Sequence, residues 1–192
     1  MYEFTSPCLV VLTGAPLAGK TTLAELVAQQ SNLTHLDVDS VRFELDPESE
    51  RLTVTGPLER WLMISAYETM IARARLVLYH GKAVILSGTF SRQVFKRPLL
   101  GLLQDAAAIQ LPAYVFELNT SGEEVRRRIE VKNSSGLPAV IKTWEQYQWA
   151  LTIREPWGPS ILPVRVESGI APREALDQFL PKLIELVGLV GR

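Results

Sequence analysis

The residues Gly14-Ala15-Pro16-Leu17-Ala18-Gly19-Lys20-Thr21 satisfy the pattern G-x-x-x-x-G-K-[ST] at every fixed position. Backbone N–H groups can wrap a polyphosphate only where no Cβ obstructs them, which Gly14 and Gly19 allow. An apolar run at 8–12 precedes the loop, and the segment 20–30, with Leu23, Leu26 and Val27 on one stripe, follows it. A strand feeding a helix through such a loop aims the helix's unsatisfied N–H groups and positive dipole end at an anion. In that arrangement residues Gly14 to Thr21, with Thr22 behind them, seat the phosphates. Lys20 then reaches the β- and γ-phosphates and Thr21 offers its hydroxyl to Mg²⁺. ATP and Mg²⁺ are the expected cofactors.

The alternation of short apolar runs with longer helical patterns continues along the chain. Runs at 83–86 and 113–118 read as strands buried on both faces, and 35–38 and 164–166 as shorter ones. Helices are predicted over 58–79, 92–104, 122–130, 143–153 and 172–187, with Gly81 as a C-cap and Pro172 in a first turn. The polar, proline-bearing stretches 46–57 and 133–142 read as loops. The expectation is an α/β fold, a doubly wound parallel five-stranded sheet forming a single domain over residues 1–192. Ligands then lie at the carboxyl ends of the strands.

Bulk properties remove several function classes. A net charge of −1 gives no basic excess for a nucleic-acid backbone, which makes a polynucleotide end the less favoured acceptor. No signal peptide or membrane-spanning run is evident, and the single cysteine, Cys8, suits a reducing cytoplasm. His35 and His80 lack partners at metal-ligand spacing, so no zinc site is read. The guanine-reading Asn-Lys-x-Asp is missing after the fourth strand, where Asn119-Thr120-Ser121-Gly122 stands, which argues against a GTPase switch.

The phosphate loop, the run Asp37-Val38-Asp39-Ser40-Val41-Arg42 after the second strand, Thr89-Phe90 after the third, and a basic helix around Arg128 occur in a telling order. The chain resembles the zeta-toxin and polynucleotide-kinase-like branch of P-loop kinases, the AAA-named small ATP-dependent kinases. Its layout is also similar to gluconate, shikimate and chloramphenicol kinases. The resemblance implies a sheet of the P-loop nucleoside-kinase type with a small helical lid at about 122–145. It further implies that Asp39 acts on the acceptor hydroxyl as base or orienter, and that Arg42 contacts the acceptor or the transferring phosphate. Arg128 and, in place of an arginine, Lys132 would clamp the phosphates as the lid closes. Lysine lacks the bidentate fork and is the weaker clamp.

Physical readings stand beside these. Asp37 and Asp39 would project to one side of an extended strand end, where a carboxylate takes a hydroxyl proton or holds a Mg²⁺-bound water; Thr21, Asp37 and Asp39 are therefore the candidate metal residues. Asp39 as a helix N-cap is the plainer alternative. Arg126 and Arg127 read as a solvated helix face, and the aromatics in 144–149 as lid-helix core. Ser87 stands where relatives show a strand-3 aspartate, which puts turnover in question rather than nucleotide binding. The leading expectation is an ATP-dependent phosphotransferase acting on a small-molecule or nucleotide-linked acceptor, with Lys20, Asp39, Arg42 and Arg128 as its catalytic residues. The alternative is an ATP-binding regulatory protein with weak catalysis. The acceptor and the oligomeric state are left open by the residues.

Overall fold

The structure, a computed structural model, describes residues 2–48, 57–135, 140–159, 161–168 and 171–187. The predicted loop 46–57 therefore lies mostly outside the described residues, as do 136–139 of the predicted loop 133–142.

Five strands, β1 (Leu9–Gly14), β2 (Thr34–Asp37), β3 (Val84–Ser87), β4 (Ala113–Asn119) and β5 (Val164–Glu167), form one sheet in the order β2-β3-β1-β4-β5. Every pairing is parallel. The helices are α1 (Lys20–Gln30), α2 (Val38–Leu45), α3 (Pro57–Tyr79), α4 (Gln93–Ala108), α5 (Gly122–Ser135), α6 (Trp144–Thr152) and α7 (Pro172–Val187).

Strand β1 is fully buried because its alternate residues enter two different cores. Val10 and Leu12 pack with Leu23, Val27 and Phe179, under α1 and α7. Leu9 and Val11 pack with Tyr67, Met70 and Leu99, under α3 and α4. A continuous apolar run is therefore the signature of a strand covered on both faces, and the doubly wound α/β expectation holds. Gly81, at φ 70°, ends α3 in a Schellman arrangement: its N–H donates to Leu78 O, and Lys82 N–H to Val77 O.

The differences from the sequence reading are local. The second strand stops at Asp37 rather than Val38, because Asp37 turns the chain into α2 as its N-cap, accepting from the N–H groups of Asp39 and Ser40. Asp39 therefore does not cap the helix, and it is not the strand-borne neighbour of Asp37 that an extended end would require. It lies in the first helical turn. Helix α4 runs to Ala108 and α5 to Ser135, past the predicted ends at 104 and 130. In α5 the polar tail still satisfies its backbone, as Ser134 and Ser135 donate their hydroxyls back to carbonyls of the preceding turn.

Candidate functional site

At the carboxyl edge of the sheet the loop 15–19 joins β1 to α1. Gly14 leaves the strand at φ 146° and Gly19 caps α1 at φ 86° with no side-chain cap bond, so the first amides of α1 face the loop. Leu17 also sits at positive φ, 64°, which costs a non-glycine residue roughly 1–2 kcal/mol. Its side chain packs on a small cluster of Val125, Ile129, Ile141, Tyr147 and Ala150 from α5, α6 and the segment before α6, which offsets that strain. Its carbonyl accepts from Arg128 Nη1 at 2.8 Å. A Cβ on Gly19 would lie 3.2 Å from the same Nη1. Glycine at 19 thus serves both the backbone turn and the approach of the α5 arginine.

Lys20 is buried, and its ammonium donates to Ala15 O at 2.8 Å. Burial lowers its pKa to about 8; the Asp39 charge opposes that shift and the Arg154 charge adds to it. Arg154, just past α6, is paired with Glu117 at 2.7 Å. No motif in the sequence marks it as belonging to the loop's surroundings.

The hydroxyl of Thr21 donates to Asp37 Oδ2 at 3.0 Å, and that of Ser87 donates to the same oxygen at 2.6 Å. Ser87 has one proton and gives it to Asp37, so it accepts from His35, whose Nε2 lies 2.8 Å away. The neutral His35 therefore carries its proton on Nε2. Strand register places Asp37 beside Ser87, so the carboxylate absent from β3 is supplied by the neighbouring β2. Thr21 and Asp37 are hard oxygen donors of the kind Mg²⁺ takes in ones and twos, with phosphate and water completing its shell. The described residues contain no cluster of three His, Cys, Asp or Glu side chains able to form a protein-only cage. The backbone N–H of Asp39 donates to Asp37 Oδ1 at 3.1 Å, and its carboxylate lies 3.4 Å from Arg42 Nη2.

A cleft of about 1000 Å³ opens beside the loop. Lys20, Thr21, Thr22, Asp37, Asp39, Arg42, Arg128 and Lys132 all contribute to its lining, so residues far apart in sequence meet there. The surrounding protein raises the Asp39 pKa, with Arg42 opposing the rise.

Helix α5 brings its cations through Glu124. This buried carboxylate accepts two bonds from Arg127, at 2.7 and 2.8 Å, and one from Arg128 at 2.6 Å. The Arg127 bonds, then those of Arg128, hold its pKa down to about 2 against burial. A depressed carboxyl contributes stability above its ordinary value of 4.5 that fades as pH falls toward 2. Glu124→Gln is expected to lower stability by about 1–3 kcal/mol near neutrality, and to flatten that acid limb, as read by urea denaturation at several pH values. Arg126 instead stacks on Trp144 at 4.0 Å, as a face turned from the cleft should.

The aromatic stretch divides: Tyr147 is core, whereas Trp149 is half-exposed and lines the cleft. Thr89, already marked by its motif, and Arg60 line the cleft wall, whereas sequence reasoning missed Arg92 there and Ser168 after β5. Position alone offered a signal, since Arg92 and Ser168 follow the carboxyl ends of strands.

The AAA domain family model matches residues 9–152. No curated protein sequence matches the chain. Similar solved structures include a gluconokinase from Sinorhizobium meliloti, with TM-score 0.63, 17% identity, and coverage of 97% of this chain and 95% of that one. APS kinase from Mycobacterium tuberculosis, in complex with AMPPNP and APS, has TM-score 0.57, 17% identity, and coverage of 93% and 98%. Shikimate kinase from Aquifex aeolicus has TM-score 0.54, 14% identity, and coverage of 92% and 96%. The shared fold is that of P-loop kinases.

Proposed function

This chain belongs to the AAA domain family, and from that premise we propose that it transfers the γ-phosphate of ATP to a hydroxyl of a small acceptor. The observation that carries the reading is the convergence, in one cleft, of a phosphate loop with its buried Lys20, the Thr21–Asp37 pair, the cleft-facing Asp39, and Arg128 reaching over the loop. The kinases of like fold are in keeping with it. The order of motifs favours the zeta-toxin and polynucleotide-kinase-like branch. The net charge of −1 favours a small acceptor over a polynucleotide end.

Gly14 to Thr22 seat the triphosphate, and Lys20 neutralises its β- and γ-oxygens. Thr21 and Asp37 are the residues for Mg²⁺, which when bound would offset charge on the phosphate oxygens. Asp39 accepts the hydroxyl proton as the acceptor oxygen bonds to the γ-phosphorus, while the bond from that phosphorus to the β,γ-bridging oxygen breaks and ADP departs. Arg42, at 3.4 Å, orients Asp39. Residues 122–145 act as the lid, with Arg128 and the exposed Lys132 adding positive charge around the transferring group. Their hydrophobic cluster is separate from the two cores of the sheet and packs against Ala15 and Leu17 of the loop. Among the described residues no helix is long and apolar enough to cross a membrane. The buried, free thiol of Cys8 agrees with a reducing cytoplasm.

Ser87 supports the alternative of a nucleotide-binding regulator with weak turnover only if β3 must supply the carboxylate. Asp37, hydrogen-bonded to it, takes that place.

Calorimetry with Mg²⁺ and ATP tests the reading. Association is expected, and Lys20→Ala should weaken it about 10- to 100-fold, the value of lost charge-assisted hydrogen bonds. Lys20 is half-deprotonated near pH 8 in the free protein, and phosphate binding must restore its proton. Affinity should therefore be level below about pH 7 and fall by up to tenfold per unit above about pH 8, a slope that Lys20→Ala abolishes. No heat with millimolar ATP or GTP would sink the proposal.

A further inference from the structure

One wall of the cleft is built by α2, the start of α3 and the segment after β3, and these helices pack in succession, α2 on α3 and α3 on α4. It carries three guanidinium groups, on Arg42, Arg60 and Arg92.

Arg42 is 9% exposed and poorly compensated. Its Nη1 meets only the thioether of Met63, a weak acceptor, at 4.0 Å. Its Nη2 is 3.4 Å from Asp39, a loose pair, and its buried Nε has no hydrogen-bond partner. A buried cation with donors left unmet is costly to keep. Arg60 and Arg92 form no salt bridge among the described residues, and Arg92, at the N-cap of α4, makes no side-chain cap bond. The carboxylates of the wall do not balance these charges. Asp37 is engaged by three hydroxyls and two amides, and with Asp39 it makes two carboxylates against three guanidiniums.

The triphosphate does not account for this excess. Lys20, Arg128 and Lys132 supply its charge from the loop and from α5. The arginines of α2, α3 and the β3–α4 segment line the cleft with Asp39, where the acceptor must lie if Asp39 takes its proton.

We infer that the acceptor carries an oxyanion (carboxylate, phosphate or sulfate) seated by Arg42, Arg60 and Arg92, only a few bonds from the hydroxyl at Asp39. This rests on the phosphotransferase reading above and names the substrate class of the same cleft. Guanidinium groups suit the task because their planar donor pairs match the oxygens of all three anions. The contact between Arg42 and Asp39 across one helical turn is what keeps anion and hydroxyl close together. A hydroxy acid or a compact hydroxyl-bearing phosphate meets these conditions, and a neutral polyol does not.

The experiment first loads the whole protein with AMPPNP and Mg²⁺, following the heat of binding, then titrates sulfate, D-glycerate and glycerol separately. Sulfate and glycerate are expected to bind and glycerol not; preference between the two anions distinguishes a phosphate-like from a carboxylate group. Arg60→Gln and Arg92→Gln should each weaken anion binding about tenfold, the loss of one charge-assisted contact, while Arg165→Gln on β5 leaves it unchanged. Retained AMPPNP heat certifies that each variant is folded. Loaded protein that binds neither anion, binds them equally in the arginine variants, or prefers glycerol overturns the inference and leaves the nucleotide reading standing. Protein that takes up no AMPPNP overturns both.

Discussion

Asp39→Asn is expected to reduce acceptor-dependent ADP release about a thousandfold, in the range lost when a positioned general base is removed, while calorimetry finds ATP binding close to that of the wild type. The amide has the same shape and retains a contact to Arg42, but it cannot take the hydroxyl proton. The separation of the two effects follows from where Asp39 sits. It belongs to the first turn of α2, and its carboxylate takes no part in the Thr21–Asp37–Ser87 hydrogen bonds. Its one influence on nucleotide is through charge: it helps keep Lys20 protonated while also repelling the phosphates, and these effects oppose one another. Burial raises its pKa, which makes it a better proton acceptor. Full transfer by Asp39→Asn would remove it from the mechanism and leave Arg42 without its proposed partner role.

Gly14→Ala should be the most damaging glycine-to-alanine change among the described residues. A Cβ at this position would lie 2.5 Å from the carbonyl oxygen of Leu118, on the neighbouring strand β4, at a backbone φ of 146° that side chains rarely adopt. The obstacle is sheet backbone in register with Gly14, so no side-chain rotation relieves it. Overpacking and an unfavourable φ together imply a loss of about 3 kcal/mol or more, read as a fall in the urea midpoint. The protein that does fold should hold ATP poorly, since β1 can avoid the contact only by moving the start of the loop. Gly19→Ala makes a useful contrast, because there the new Cβ meets the movable Nη1 of Arg128. An unaltered midpoint for Gly14→Ala would show that β1 and β4 separate more easily at their carboxyl ends than the pairing suggests.

Short-range chemistry explains why much of this was legible in the residues. Gly14, Gly19, Lys20 and Thr21 act through backbone conformation and reach, which a local pattern encodes directly. The run 8–12 reads as a doubly covered strand because alternate residues supply two cores, and this required only the period of two. Capping residues were harder. Asp37 and Asp39 are both good N-caps, and only the point at which β2 ends its pairing with Ser87 selects Asp37.

The sequence by itself determined the parallel α/β sheet, the phosphate loop at its carboxyl edge, and the face of α5 that bears Arg128, because each depends on neighbours within a few residues. Tertiary structure alone decided that Ser87 hands its proton to Asp37, that Arg154 bears on Lys20, and that Arg42, Arg60 and Arg92 share a wall. Those relations join strands adjacent in space but distant along the chain, and the electrostatic field of a cleft is a sum over whichever elements the fold brings to its rim.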